Sequence, residues 1–456
     1  MTTKGHTASF RDPDGFVFYN QGKLQRYLSP ELASEYDSLK PLYEALLAEG
    51  WLLPHSAPEK REDGSLILTP EPLDFMSYPY EWCFSQLKAA ARQTLAIQRK
   101  ALDFGATLID ASAFNVPMHK GKPVLIDLPS LRKRNEGEPW AGYRQFCEHF
   151  LAPLALMAAH GHGAQRLTSL HIDGIPLHFA SSMLSWQTRL KPGLAAHIHL
   201  HAKQQGRSGS GYTNTNKATP QVSENGMRGL IDNLDATVAG LTLPVEKTVW
   251  GDYYDATNYS SGAMAAKERV VAELIDRVGS KPKTCWDFGA NDARFSRLAA
   301  QRGLFTLALD LDPAAIEHAW SEVQQRKETN LLPLVMDLTD PSPARGFAHT
   351  ERDSLLKRGP ADLGLALALI HHLAIGHNIP MDRLAAFFAD SCRWLILEFV
   401  PKPDSQVQRL LASRRDIFPA YHEEGFQAAF EPYFTFLANA RIEGSQRTLY
   451  LLERRS

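Results

Sequence analysis

Cysteine is scarce in this 456-residue sequence, and no cysteine lies near another. The four are Cys83, Cys147, Cys285 and Cys392. None of them forms a CxxC pair, so the sequence gives no sign of a cysteine metal site. A disulfide framework is typical of short chains that are dense in cysteine, which this chain is not. We therefore predict buried, reduced thiols and no bound metal.

Long apolar runs and an excess of one charge are also missing. There is no run of about 20 apolar residues, which a membrane-spanning helix requires, and Met1 to Phe10 lacks the apolar core of a signal peptide. The formal net charge is -2, with acidic and basic residues mixed throughout. This balance gives no electrostatic reason to expect nucleic acid or an anionic membrane as a partner. We expect a soluble cytoplasmic protein.

The length exceeds what one hydrophobic core normally fills, so two domains are expected. A polar segment rich in Gly, Ser and Asn begins at residue 204 and has no apolar period, as in an exposed linker. We predict an N-terminal α+β domain over residues 1–203, a linker over 204–226 and a C-terminal domain over 227–456.

Short apolar runs alternate with amphipathic helices after this linker. Strands are predicted at 284–288, 304–309, 332–336, 363–369 and 394–400, helices at 227–241, 267–278, 293–301 and 313–326, and a final antiparallel pair at 434–442 and 448–453. Strands that alternate with helices indicate a parallel, doubly wound sheet with right-handed crossovers. The predicted class is α/β, with a Rossmann-like C-terminal domain.

The turn after the first of these strands has one glycine where a dinucleotide-binding turn has three. Gly289 follows Asp287 and Phe288, and a glycine there lets the backbone turn tightly and approach a ligand. The helix that follows presents free N–H groups to an anionic group. A nicotinamide dehydrogenase would need the fuller G-x-G-x-x-G for close pyrophosphate approach. The missing glycines therefore disfavour a dinucleotide enzyme.

Two acidic residues close the next two strands, where an adenosine needs acceptors. Asp310 ends the second strand, and its carboxylate can accept both ribose hydroxyls. Asp337 ends the third strand and can accept from an adenine amino group. Asp312 precedes Pro313 and is predicted to be a helix N-cap rather than a ligand.

Five segments of this half resemble the motifs of class I S-adenosylmethionine-dependent methyltransferases. WDFGANDARFS (286–296), ALDLDP (308–313) and LVMDL (334–338) are similar to motifs I, II and III, LALALIHHL (365–373) to motif IV, and WLILEFVP (394–401) to the fifth strand. The resemblance implies this family's fold and S-adenosylmethionine as the cofactor.

The resemblance also implies a set of cofactor-binding residues. These are Gly289, Ala290 and Asn291 for the methionine part, Asp310 for the ribose, Asp337 and Leu338 for the adenine, and Asp287, Leu311, Ala368 and Tyr259 for the site as a whole. Asn291 and Ala293 depart from the family's usual glycines. Tyr259 is one of several aromatic residues that either close over the cofactor or pack against the first helix. Lys267 and Arg294 are expected to be solvated charges.

Residues past the fourth and fifth strands are candidates for contact with the methyl acceptor. His371 and His372 follow the fourth strand, where one of them could act as a base or orient the acceptor. The alternative is that one caps the following helix while the other packs. Glu398 closes the fifth strand and is a further catalytic candidate. No [DN]PP[YF] tetrapeptide follows the fourth strand, which disfavours methylation of adenine or glutamine amino groups.

Asp110, Asn115 and Asp127 follow a long helical pattern in the N-terminal half and flank a predicted hairpin. Their order resembles the catalytic loop and metal-binding aspartate of protein-kinase-like folds. No Gly-rich phosphate loop and no V-A-I-K lysine strand precede them. A degenerate kinase-like remnant and an acceptor-binding domain both stay open. The alternating His197, His199 and His201 are expected to be a surface or packed cluster, because a spacing of two on a helix does not converge on one metal.

Most of the chain also resembles the NoeA family of host-specific nodulation proteins of rhizobia and their bacterial relatives. The segments that carry this resemblance are SYPYEWCFSQLK (77–88), DASAFNV (110–116), KGKPVLID (120–127) and YRQFCEHFLAPLALM (143–157). We predict transfer of a methyl group to oxygen or nitrogen of a small molecule, a glycan or a lipid-linked intermediate. An RNA or protein (ribosomal component) methyltransferase and a non-catalytic S-adenosylmethionine-binding partner are the alternatives. The acceptor and the oligomeric state stay open.

Overall fold

Two compact units make up the chain in the computed structural model, which describes residues 5–203, 221–244, 261–412 and 414–455. The first unit comprises Met1–Glu246 together with Arg345–Arg352. The second comprises Lys247–Ala344 and Asp353–Ser456. Most of the predicted linker, and Tyr259, lie outside the described residues.

The helix predicted at 227–241 belongs to the first unit, which corrects the predicted start of the C-terminal domain. It runs over Glu224–Ala239 and packs against the helix Phe84–Asp103. The guanidinium of Arg92 lies 2.8 Å from Asp235 Oδ1, and Lys88 Nζ donates to Leu241 O at 2.7 Å. Apolar burial and these polar contacts together hold the helix in the first unit, which its own periodicity could not reveal.

The first unit combines small antiparallel sheets with many short helices. Its strands are β1 Val17–Asn20, β2 Lys23–Leu28, β3 Glu59–Lys60, β4 Leu66–Leu68, β5 Ala106–Leu108, β6 Met118–His119, β7 Lys122–Pro123 and β8 Leu131–Lys133. Its α-helices are α1 Pro30–Ala48, α2 Phe84–Asp103, α3 Tyr143–Phe146, α4 Ala152–His160, α5 Leu167–Leu170, α6 Leu177–Met183, α7 Pro192–Leu194 and α8 Glu224–Ala239. The main sheet has the order β1-β2-β4-β3. Gln21 and Gly22 both have positive φ between β1 and β2, as a two-residue hairpin turn requires.

Two segments of the first unit, 143–159 and 184–203, have sequence patterns that favour continuous helices, and both are interrupted in the structure. The segment 143–159 passes through a π-helical turn at Cys147–Leu151. The segment 184–203 contains a 3₁₀ turn at Trp186–Leu190 and a second π-helical turn at Ala195–Leu200. Such turns change which side chains face the core without changing the apolar content of the sequence, so periodicity alone missed them.

The second unit is built on one seven-stranded sheet. Its strands are β9 Thr284–Phe288, β10 Phe305–Asp310, β11 Leu331–Val335, β12 Ala361–Ala366, β13 Cys392–Phe399, β14 Phe434–Arg441 and β15 Thr448–Arg454. Its α-helices are α9 Ser261–Asp276, α10 Ser296–Ala300, α11 Pro313–Arg326, α12 Met381–Ser391, α13 Ser405–Leu411 and α14 Glu423–Phe430. The strand order is β11-β10-β9-β12-β13-β15-β14, and β15 pairs antiparallel with both of its neighbours. The predicted α/β class and the final antiparallel pair are confirmed.

Both faces of this sheet are covered, which explains why its parallel strands are continuously apolar. One face packs against α9 and α10 through residues that include Val271, Leu274, Cys285, Phe295, Leu365 and Ile396. On the other face, the ring of Phe288 lies 5.4 Å from that of Phe388, and Phe426 lies 4.7 Å from Phe430. The four cysteines are buried. In the part of the chain that the structure describes, no helix is long and apolar enough to cross a membrane.

Candidate functional site

A cavity of about 340 Å³ lies in the second unit at the carboxyl ends of the parallel strands. Ligands of doubly wound sheets bind in the crevice beyond the carboxyl ends of the strands, which is the edge where this cavity lies. The side chains and backbone that line it are those of Met264, Lys267, Asp287, Gly289, Ala290, Asn291, Phe295, Asp310, Leu311, Met336, Asp337, Leu338, Thr339, Leu367, Ala368, Leu369, His372, Leu373, Gly376, His377, Leu410 and Arg414.

The turn after β9 forms one wall of the cavity and requires unusual backbone angles. Gly289 has φ +75°, and a Cβ built on it would lie 3.1 Å from Leu369 Cδ1. Asn291 and Ala293 also have positive φ, at +49° and +64°. These angles delay the start of α10 to Ser296, whereas the sequence predicted a helix from 293. A glycine is needed only where the angle and the close approach coincide, so this turn works without the family's other glycines.

Asp310 ties this turn to the next one. Its Oδ2 accepts from the backbone N–H of Asn291 at 2.8 Å, and its Oδ1 accepts from the N–H of Asp312 at 2.8 Å. Burial raises the pKa of Asp310 to about 6, although these N–H donors favour the charged form. Asp312 in turn caps α11 by accepting from Ala314 N at 2.9 Å, as predicted. The carboxylate of Asp310 is thus fixed in place while it lines the cavity.

Asp287 lies beneath the same wall, almost fully buried. Its Oδ2 accepts from Ser296 Oγ at 2.7 Å. Burial raises its pKa to about 7, opposed by this hydrogen bond and by the charge of Lys267. Asp337, at the end of β11, accepts at Oδ1 from the N–H of Thr339 at 2.9 Å. Three carboxyl groups therefore line the part of the cavity that β9, β10 and β11 form.

Lys267 was predicted to be a solvated charge, and that prediction is wrong. It is 3% exposed, lines the cavity, and its Nζ lies 2.6 Å from Glu398 Oε2. Burial lowers the pKa of Lys267, whereas Glu398 opposes that change. The signal was present in the sequence, because Lys267 continues the apolar stripe of α9 formed by Met264 and Val271. A lysine inside an apolar stripe needs an anionic partner.

The cavity gathers nearly all of the predicted cofactor-binding residues. Asp287, Gly289, Ala290, Asn291, Asp310, Leu311, Asp337, Leu338 and Ala368 all line it. The remaining residue, Tyr259, lies outside the described residues.

Of the three predicted catalytic residues, only His372 lines the cavity. The strand β12 ends at Ala366 rather than at residue 369, because Ala368 has φ +51° and the chain then enters a π-helical turn at His372–Gly376. This turn directs the two neighbouring histidines differently. Burial lowers the pKa of His372 to about 4, so its ring is neutral near pH 7.

The structure corrects the predictions for His371 and Glu398. His371 is 0% exposed, and among the described residues neither of its ring nitrogens has a hydrogen-bond partner. Its ring packs 4.1 Å from that of His372, which matches the packing alternative. Glu398 is also 0% exposed and pairs with Lys267 and with Arg447, whose Nη1 lies 3.2 Å from its Oε1. Neither residue lines the cavity, because the turn after β12 buries His371 and β13 places Glu398 against Lys267 and Arg447.

Sequence reasoning missed the residues at the far end of the cavity. His377, Leu410 and Arg414 line it from beyond β12 and β13. His377 and Arg414 lie in bends and Leu410 lies in α13, and none of them belongs to a motif, so their convergence depends on the fold. The sequence feature that could have indicated this end of the site is a basic residue, Arg414, in the segment after the fifth strand.

The predicted kinase-like residues of the first unit are hydrogen-bonded to their neighbours. Asp127 Oδ1 lies 2.8 Å from Arg26 Nη1, and Ser130 Oγ donates to Asp127 Oδ2. Asn115 Nδ2 donates to the same Ser130 Oγ at 3.3 Å. Asp110 Oδ1 accepts a hydrogen bond from the backbone N–H of Ser112 in its own turn. Both oxygens of Asp127 are therefore engaged, and the kinase-like interpretation stays a prediction.

The alternating histidines of the first unit have separate partners. His197 contacts Tyr143 Oη at 2.8 Å and Asn233 Oδ1 at 2.7 Å. His199 contacts Ser181 Oγ and Thr188 Oγ1, each at 2.8 Å. Across the described ranges, no group of three His, Cys, Asp or Glu side chains is placed to hold a metal ion.

The sheet order and the position of the cavity define the second unit as a class I methyltransferase fold. The chain as a whole belongs to the NoeA family of nodulation proteins. It is 35% identical over 460 residues to the nodulation protein NoeA of Rhizobium meliloti (strain 1021), covering 98% of this chain and 95% of that protein. No family model matches the chain.

Solved methyltransferase structures are similar to about half of the chain. Magnesium protoporphyrin IX methyltransferase (ChlM) from Synechocystis PCC 6803 with bound SAH is 16% identical, covering 45% of this chain and 92% of that one, with a TM-score of 0.33. The N-methyltransferase NodS from Bradyrhizobium japonicum WM9 is 11% identical, covering 43% and 99%, with a TM-score of 0.31. The bifunctional kinase-methyltransferase WbdD is 16% identical, covering 44% and 42%, with a TM-score of 0.32.

Proposed function

We propose that the second unit binds S-adenosylmethionine in this cavity and transfers its methyl group to an oxygen or nitrogen of a small-molecule, glycan or lipid-linked acceptor. The observation that carries the proposal is Asp310, whose carboxylate is fixed by two backbone N–H donors and still lines the cavity. Each carboxylate oxygen keeps a lone pair for a ribose hydroxyl. The cofactor supplies a methyl group on a positively charged sulfur.

The charges of the cavity suit a cationic donor. Asp287, Asp310 and Asp337 lie at the end formed by β9, β10 and β11. Carboxylates that the fold holds in place stabilise a positive charge without further rearrangement. Lys267, at the same end, offers a positive charge to the carboxylate of the methionine part. Leu367, Leu369 and Leu373 cover the cavity with apolar surface that limits water around the transferred group.

Calorimetry with S-adenosylhomocysteine tests the proposal, and Gly289→Ala provides a sharp comparison. The added Cβ forces strain at φ +75° and meets Leu369, which also lines the cavity. We expect about 1 kcal/mol of lost stability and at least a roughly tenfold loss of affinity, equivalent to about 1.4 kcal/mol.

Gly303→Ala is the matched control for this comparison. Gly303 has φ +85°, a Cβ added to it would meet no atom within 4 Å, and the residue does not line the cavity. The variant should lose similar stability and keep full affinity. Equal affinity in the two variants would contradict the assigned turn. No binding to the wild-type protein would end the proposal.

The affinity for S-adenosylmethionine is also expected to depend on pH. The pKa values of Asp287 and Asp310 are raised to about 7 and about 6. A cationic ligand favours the ionised carboxylates, so affinity should fall as the pH is lowered from about 8 to about 6 and level off above that range. Titration calorimetry at several pH values measures this slope. Asp287→Asn should reduce it, and a wild-type affinity that is constant with pH would contradict the proposed role of these carboxylates.

A further inference from the structure

The charged side chains that line the cavity are divided between its two ends. Asp287, Asp310 and Asp337 lie with Lys267 at the end formed by β9, β10 and β11, whereas Arg414 lies beyond β12 and β13 with His372 and His377. Among the described residues that line the cavity, the end beyond β12 and β13 has no acidic side chain. This second end lies away from the turns that follow β9, β10 and β11.

Arg414 is held in place by neutral oxygen atoms. Its Nη1 donates to Ile375 O and to Asn378 Oδ1, the latter at 3.3 Å, and its Nη2 donates to Gly376 O at 3.3 Å. These contacts orient the guanidinium but do not neutralise its charge. Asp416, the nearest acidic residue in sequence, pairs with Lys402 at 2.7 Å instead.

The donors of Arg414 are only partly used. A guanidinium has five N–H groups in a planar fork, and the contacts with Ile375, Asn378 and Gly376 leave Nε–H and one Nη2–H unassigned among the described residues. The atoms Nε and Nη2 share one edge of the fork, the edge that binds a carboxylate or phosphate through two parallel hydrogen bonds. His372 is neutral near pH 7, since burial lowers its pKa to about 4. The guanidinium of Arg414 therefore supplies the positive charge at this end of the cavity.

We propose that the methyl acceptor carries an anionic oxygen group, a carboxylate or a phosphate, and that Arg414 binds that group. The inference rests on the proposed function, because it places the acceptor at the end of the cavity opposite the donor's carboxylate-lined subsite. It narrows the acceptor to anionic molecules. Leu373 and Leu410, which line the same end, provide apolar surface beside the charge.

Ligand-observed NMR on the protein saturated with S-adenosylhomocysteine tests this directly. The probes are phenylacetate, phenyl phosphate and the neutral phenylacetamide. The wild-type protein should bind at least one of the two anions about tenfold more tightly than the amide, as expected for a charge-assisted pair. The ratio between the two anions tells a carboxylate acceptor from a phosphate acceptor.

Arg414→Met should abolish the preference for the anion, and Arg414→Lys should restore part of it. Arg415→Met is the matched control, since Arg415 is the next residue and is exposed like Arg414, but does not line the cavity. It should keep the wild-type preference. Both methionine variants should bind S-adenosylhomocysteine as tightly as the wild type.

Three results would overturn the inference. They are an equal affinity of the wild type for the anions and the amide, an unchanged anion preference in Arg414→Met, and a loss of S-adenosylhomocysteine affinity in Arg414→Met alone. The last would assign Arg414 to the donor subsite. Failure of the wild type to bind S-adenosylhomocysteine at all would instead reject the proposed function.

Discussion

Replacing Asp310 with alanine is expected to weaken the binding of S-adenosylmethionine by about 100-fold or more. Each hydrogen bond to a charged group contributes about 1.5 kcal/mol or more, and the proposed site gives Asp310 both ribose hydroxyls. Losing both amounts to about 3 kcal/mol, which is about a 100-fold change in affinity. Titration calorimetry on the wild type and the variant measures this loss.

Asp310 also connects two turns, so the loss of binding must be separated from a loss of local order. Asp312→Ala is the control, because Asp312 caps α11 in the same turn but does not line the cavity. It should cost about 1 kcal/mol of stability and change the affinity little. Asp310→Asn should fall between the wild type and Asp310→Ala, since an amide accepts through one oxygen only. If Asp310→Ala bound the cofactor as tightly as Asp312→Ala, the ribose assignment would be wrong.

The end of the cavity that we propose for the donor could be predicted from the sequence, because it depends on where the strands end. Asp310 and Asp337 each close a short apolar run, and parallel neighbouring strands place their carboxyl ends at one edge of the sheet. Their convergence with Gly289 therefore follows from the strand pattern alone. Predicting that these residues lie close together requires no long-range information beyond the order of the strands.

The rest of the site depends on contacts that the pattern does not contain. His371 and His372 are adjacent in sequence, and only the π-helical turn after β12 decides which of them lines the cavity. Arg414 follows α13, and its position depends on the backbone oxygens of residues almost 40 positions earlier. The amphipathic pattern of α8 would suit a position in either unit, and its contacts with α2 place it in the first. Local periodicity gives elements and their ends, whereas these three features are tertiary.

Glu398 shows a similar limit of sequence-based prediction, which concerns the chemical role of a side chain. A carboxylate at the end of a strand predicts a site residue when it faces the cavity, and a structural ion pair when it faces a helix. The sequence does not distinguish these cases, because a strand alternates its two faces and its last residue can belong to either. The partner of the carboxylate decides which of the two cases applies, and for Glu398 that partner is Lys267 of α9.

Lys267→Met is expected to lower the free energy of unfolding by about 3 kcal/mol or more. The buried group contains two cations and two anions, Lys267 and Arg447 with Glu398 and Asp404. Removing one cation leaves an uncompensated negative charge in a buried environment, and breaking a buried pair in this way costs about 3–5 kcal/mol. Urea unfolding of the wild type and the variant measures the difference.

Glu398→Gln should be destabilising for the opposite reason, since it leaves Lys267 buried without its anion. Lys267→Met combined with Glu398→Gln removes one charge of each sign and leaves Arg447 with Asp404. The double variant should therefore be more stable than the sum of the single effects predicts, by about 2 kcal/mol or more, as contacting residues show in double-mutant cycles. Additive effects would mean that the two side chains do not interact. A different result would support a catalytic role for Glu398. In that case Glu398→Gln would be as stable as the wild type and would bind S-adenosylhomocysteine, but it would transfer no methyl group. A structural ion pair would not give this result, because its loss lowers stability.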